Sequence, residues 1–121
     1  MQVEKVDFIA VQTQDAAASK RFYVETLGLP HDRDTPAGFE VFAGQVCLSV
    51  WNPAGAGIEF APNPAHLALN VGDVAAGRAE LEAKGVVFDG ETLDTGVCHM
   101  AFFRDPDGNA LMLHRRYAPY A

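Results

Sequence analysis

His66-Leu67-Ala68-Leu69-Asn70-Val71, then Asp73, then a helical run from Val74 to Lys84 that stops at Gly85: this stretch decides the fold, because the chain contains its pattern twice. The first copy is Val6-Asp7-Phe8-Ile9-Ala10-Val11, then Asp15, then Ala16 to Leu27, closing at Gly28. In each, a short β-rich run precedes an aspartate whose carboxylate can accept the free amide hydrogens of a first helical turn. Each helix then ends at a glycine suited to a left-handed stop. Asp73 stands as far beyond Asp15 as Gly85 stands beyond Gly28, to within one residue. A repeat of this kind marks two copies of one supersecondary unit.

Strands follow each helix. In the first half Phe39–Phe42 and Val46–Trp51 flank Ala43-Gly44-Gln45; in the second, His99–Phe103 and Ala110–Arg115 flank Asp105-Pro106-Asp107-Gly108-Asn109. The Asp-Gly pair suits a tight hairpin and Pro106 presets the preceding angle. Shorter strands near Leu29–His31 and Val86–Phe88 complete βαβββ in each half. The expected class is α+β: two βαβββ modules, approximately 1–53 and 64–116, forming curved mixed sheets around a shared cavity in one domain, 1–121. Asn52 to Pro64, rich in Pro, Gly and Ala, reads as the linker. Phe22 and Leu27 in one helix, and Val74 and Leu81 in the other, are expected to pack on the covered sheet faces.

The 121 residues suffice for one modest core. Sixteen acidic residues against nine basic ones, a formal charge of −7, disfavour nucleic acid and anionic membranes as partners. No apolar run approaches the ~20 residues needed to span a bilayer, and Glu4, Lys5 and Asp7 occupy the place of a signal peptide's apolar core. Cys47 and Cys98 form no CxxC pair and read as free thiols. The expected location is cytoplasmic.

Phe22-Tyr23-Val24-Glu25-Thr26-Leu27-Gly28-Leu29, His66 to Val71 and Phe103-Arg104-Asp105-Pro106-Asp107-Gly108-Asn109 together resemble the vicinal oxygen chelate superfamily. That superfamily includes glyoxalase I, bleomycin-resistance proteins, fosfomycin-resistance enzymes and extradiol dioxygenases, and the likeness runs from Val6 to about His114. The resemblance implies a homodimer. It also implies a divalent metal held by one residue from each of four strands, usually His, Glu, His, Glu. Here the matching positions are Phe8, Ser49, His66 and Met112. Among these only His66 is a usual ligand, so the chain departs from the metal pattern at the other three.

Strand alternation extends the lining. Phe8 brings Ala10 and Gln12; Ser49 brings Cys47 and Trp51; His66 brings Ala68 and Asn70; Met112 brings Ala110 and His114. A tight hairpin would set Phe103 opposite Ala110, Ala101 opposite Met112 and His99 opposite His114. The expected ligand-binding set is therefore Phe8, Gln12, Ser49, Trp51, His66, Asn70, His99, Phe103, Met112 and His114. Such a site, apolar with sparse polar groups, suits a small apolar or aromatic ligand, with Trp51, Phe8 and Phe103 available for stacking. Phe8 and Met112 equally suit plain packing.

The leading expectation is a small-molecule-binding protein without a cofactor. The alternative is a metal-dependent lyase or dioxygenase using His66, His99 and His114 around one divalent ion. A metal-free isomerase or lyase with a histidine base is a third reading, without an identifiable partner acid or nucleophile. Ser49 lacks a GxSxG context, Ala54-Gly55-Ala56-Gly57 lacks a phosphate-loop lysine, and Asp105 and Asp107 read as turn formers.

Overall fold

The structure is a computed structural model and describes residues 1–120. The chain divides into two compact units, one over Met1–Pro62 and one from Asn63 onward. Each unit carries a four-stranded mixed sheet, as the repeat requires.

In the first unit the elements are β1 (Ile9–Gln12), α1 (Ala16–Lys20), β2 (His31–Thr35), β3 (Gly38–Ala43) and β4 (Val46–Trp51). The sheet order is β1-β4-β3-β2, with β1 parallel to β4 and the other pairs antiparallel. Asp15 caps α1 by accepting the Ala18 amide at 3.1 Å. The expected helix to Leu27 widens into a π-helical turn over Arg21–Thr26, where the Leu27 amide reaches the Phe22 carbonyl at 2.9 Å. Phe22 and Tyr23 turn inward there and pack edge to face. They join Val11, Phe39, Val41, Leu48 and Val50, all essentially fully buried. The helix therefore covers the sheet face carried by the odd residues of β1 and β3 and the even residues of β4.

Two expectations are corrected here. The strand placed near Leu29–His31 begins at His31 instead and runs to Thr35. It contains an irregularity between His31 and Arg33, with Asp32 as the extra residue, so that His31 opposes Val41 and Arg33 opposes Glu40. The first strand also starts later than its apolar run, leaving Phe8 outside it and 52% exposed.

The second unit contains β5 (Leu67–Asn70), α2 (Val74–Ala83), β6 (Leu93–Asp94), β7 (Cys98–Arg104) and β8 (Ala110–Arg116) in the order β5-β8-β7-β6. Asp73 caps α2 through the Ala76 amide. Val74 and Leu81 are buried as expected, against a covered face formed by Leu111, Leu113, Ala101 and Phe103. The expected strand at Val86–Phe88 reduces to a single bridge from Phe88 to Phe103, and the edge strand is Leu93–Asp94.

The β7–β8 turn is built by Asp105 and Asn109, both buried. Asp105 Oδ1 accepts the amides of Asp107 and Asn109 at 2.9 Å, and the Asp105 amide donates to the Asn109 carbonyl. The Asn109 side chain donates to Asp105 Oδ2 and accepts the Asn63 amide, each at 2.8 Å. The Ala110 amide closes the clamp on the Asn63 carbonyl. The turn is thus a five-residue loop that leaves Arg104 paired with Ala110. A tight hairpin would have paired Phe103 there, so the register differs from expectation by one residue. One residue of slip reverses every side chain.

Candidate ligand-binding faces

The face of each sheet not covered by its helix carries the candidate site. In the first unit, register places side chains in lateral rows. Ala10, Ser49, Glu40 and Arg33 form one row across the sheet, and Gln12, Trp51, Gly38 and Thr35 form the next. Cys47 and Phe42 oppose each other beyond Ser49. Ser49, Trp51 and Gln12 thus share one face, as alternation predicts. Gln12 is engaged in structure, since its Oε1 accepts the Ala61 amide at 2.8 Å.

Trp51 also lines a hollow of about 660 Å³ with Ala16, Thr35, Gly38, Asn52 and Ala54. Small side chains make that room. Gly38, directly opposite Trp51, is obligatory, because a Cβ there would collide with the Val50 carbonyl. Asn52 holds the wall by accepting the Ala54 amide at the start of a short 3-10 turn, Pro53–Ala56.

Sequence reasoning missed the charged pair on this face. Arg33 Nε donates to Glu40 Oε1 at 2.7 Å; the glutamate side chain is 12% exposed and the arginine side chain 68%. That hydrogen bond is the first reason the Arg33 guanidinium holds its proton more tightly than usual. Burial, then the Glu40 charge, pushes the Cys47 thiol up, away from reactivity. The signal for Glu40 was available: a two-residue turn at Gly44-Gln45 sets Ala43 against Val46, which sets Glu40 against Ser49.

In the second unit, Ala68, Met112 and Phe102 form one open-face row, and Asn70, His114, Met100 and Leu93 the next. His66 packs edge-on against Phe102, with ring centroids 5.0 Å apart. Met112, His114 and Asn70 stand where expected. Phe103 and His99 do not. Phe103 pairs with Leu111 on the covered face, is fully buried and packs on Phe88, so it is core rather than lining. His99 pairs with Arg115 on that same side, stacks on Tyr117 and lies 3.3 Å from Asp94 Oδ2. Met100 and Phe102 take their places on the open face.

The same register sets His99 and His114 of the expected three-histidine cluster on opposite sides of one sheet. The four positions that the resemblance assigns to a metal offer a phenyl ring, a hydroxyl, one imidazole and a thioether. That donor set does not fit a borderline divalent ion. Within either unit, among the described residues, no group of three His, Cys, Asp or Glu side chains is placed to hold one.

A family model described as the Glyoxalase/Bleomycin resistance protein/Dioxygenase superfamily matches residues 5–113. Among solved structures, the chain is similar to TnmS3, an antibiotic binding protein from Streptomyces sp. CB03234, at 30% identity and TM-score 0.77, covering 96% of this chain and 98% of that one. A glyoxalase/bleomycin resistance protein from the same Streptomyces strain is also 30% identical, with TM-score 0.69 over 89% of this chain and 97% of that one. Lactoylglutathione lyase from Agrobacterium tumefaciens shares the fold, with TM-score 0.77 at 19% identity over 94% of this chain and 95% of that one. The search of curated proteins gives no match.

Proposed function

Because this chain belongs to the Glyoxalase/Bleomycin resistance protein/Dioxygenase superfamily, we propose that it is a small-molecule-binding protein of that scaffold whose ligand is aromatic and whose action needs no resident metal. The observation that carries this reading is the make-up of the open faces. Trp51 and Phe42 in one unit, and Phe102, Met100 and Met112 in the other, occupy the sides of the sheets that no helix covers. Aromatic rings and thioethers of this kind bind flat apolar surfaces, and the few polar groups among them fix orientation. The 30% identity to an antibiotic binding protein supports binding over catalysis. So does the donor set at the four expected metal positions.

Pairing of two copies and a cytoplasmic location belong to the same reading. The acidic balance supports it against nucleic acid, and among the described residues no helix is long and apolar enough to cross a membrane. Sedimentation of the purified chain tests the first.

Trp51 is the sole tryptophan, so its fluorescence reports the face directly. Titration with planar aromatic compounds should give saturable quenching that a chelator leaves unchanged, with no turnover of the compound. Added Ni²⁺, Co²⁺, Zn²⁺ or Mn²⁺ should leave the melting temperature unmoved, since a tightly held ion would raise it. A stoichiometric metal that His66→Ala abolishes would replace this reading by the enzymatic one.

A further inference from the structure

Glu40 is an expensive residue for its position. It sits in the third of four strands with its side chain 12% exposed, on a β3 whose neighbours Phe39 and Val41 are core. A carboxylate has about four acceptor sites. Among the described residues, one donor serves it: Arg33 Nε, from a side chain that is itself mostly in water. Holding most of a charged side chain out of water is costly, and a β-branched or aromatic side chain would suit the strand better; no Glu40 oxygen is both buried and unpaired, so the second one stays reachable.

The surroundings show what would meet the remaining capacity. In the Glu40 row, Ser49 and Ala10 are short, and no bulky side chain fills the row towards β1. Trp51 is the diagonal neighbour of Glu40 across β3 and β4, a separation of ~7–8 Å in such pairs. That span is of the order of one or two fused rings. Arg33 restrains the carboxylate from the edge strand through Oε1, and its Nε bond does not use the second oxygen.

We propose that Glu40, restrained by Arg33, is the polar recognition group of this face and accepts a hydrogen bond from a hydroxyl or N–H carried by an aromatic ligand packed on Trp51. The inference rests on the binding reading above and narrows it from aromatic ligands in general to hydrogen-bond-donating ones. Glutamine at this position would give its single oxygen to Arg33 and present an amide N–H to the ligand, turning an acceptor into a donor.

The test uses two probes that differ by one O–H, 2-naphthol and 2-methoxynaphthalene, titrated calorimetrically into the full chain at neutral pH. The wild-type protein should bind the naphthol at least tenfold more tightly, the scale of one hydrogen bond to a charged acceptor. Glu40→Gln should bring the two affinities within about twofold of each other, while a melt shows the variant folded. The wild-type preference stands as evidence by itself if the variant does not fold. Equal wild-type affinities, or a Glu40→Gln loss shared equally by both probes, would overturn the role of Glu40 and leave the binding reading intact. Failure of both probes to bind would overturn both.

Discussion

Replacing Asn109 by alanine removes the clamp inside the β7–β8 turn. Its side chain joins Asp105 Oδ2 and the Asn63 amide at 2.8 Å each, and both Asn109 and Asp105 are buried. A neutral bond such as that to Asn63 contributes about 1 kcal/mol net, and one to a carboxylate about 1.5–3 kcal/mol. Asp105 keeps its bonds from the Asp107 and Asn109 amides in the variant, so the lower part of that range applies and the expected loss is ~3 kcal/mol. For a chain of this size, between the small and large classes, each kcal/mol lowers the melting temperature by roughly 3–6 °C. Asn109→Ala should therefore melt roughly 9–18 °C below the parent in a calorimetric scan. A double-mutant cycle with Asp105→Ala should show coupling on the order of 1 kcal/mol or more. A drop of under ~3 °C, or strict additivity, would refute the view that this side chain fixes the turn and, through it, the register.

Other expectations follow from the same geometry. Phe103→Ala should cost about 3–5 kcal/mol as a core truncation, while Phe102→Ala should leave the urea midpoint nearly unchanged and weaken aromatic ligands. Gly38→Ala forces a collision with the Val50 carbonyl and should destabilise by about 1–3 kcal/mol, read by chemical denaturation. The Asp94 carboxyl is held below its ordinary 3.8 by the Gly96 amide, Tyr117 and His99. The stability it contributes is present above that value and is lost as pH falls through the lowered one. The Tyr117 hydroxyl, bonded to Asp94, is raised above its ordinary 10.0, so its contribution holds below that value and disappears as pH rises through the raised one. Tyr117→Phe should flatten the alkaline side of the stability profile and make the acid side shallower, as followed by melts across pH.

Local chemistry made most of the architecture legible. The Asp15 and Asp73 caps declare the helix starts because a cap needs only neighbouring amides. The facing of Ser49, Trp51, Met112 and His114 follows from alternation within one strand, which is also local. The facing of Phe103 and His99 depends instead on how many residues the β7–β8 turn consumes. That count is set by Asp105 and Asn109 bonding to Asn63, far away in sequence. Glu40 escaped notice for a different reason: its importance lies in a lateral row across strands, and rows follow from pairing, not from any single run of residues. The shift of β2 to His31–Thr35 likewise reflects pairing, with a bulge and hydrogen-bonded charges on a strand that is almost wholly polar.

The division of each sheet into a helix-covered side and a free side has a consequence for how such a protein can diverge. Leu48, Val50, Phe39 and Val41 in one unit correspond to Leu111, Leu113, Ala101 and Phe103 in the other, and both sets remain uniformly apolar. The free sides have parted company: one presents Ser49, Glu40 and Arg33 beside its tryptophan, the other Met112, Phe102 and Met100. Folding constrains the first side of each strand far more than the second, where Gly38 is the exception, and the two alternate residue by residue. A lineage can therefore rewrite most of the alternate codons of these strands, exploring new cargoes while inheriting an unchanged scaffold.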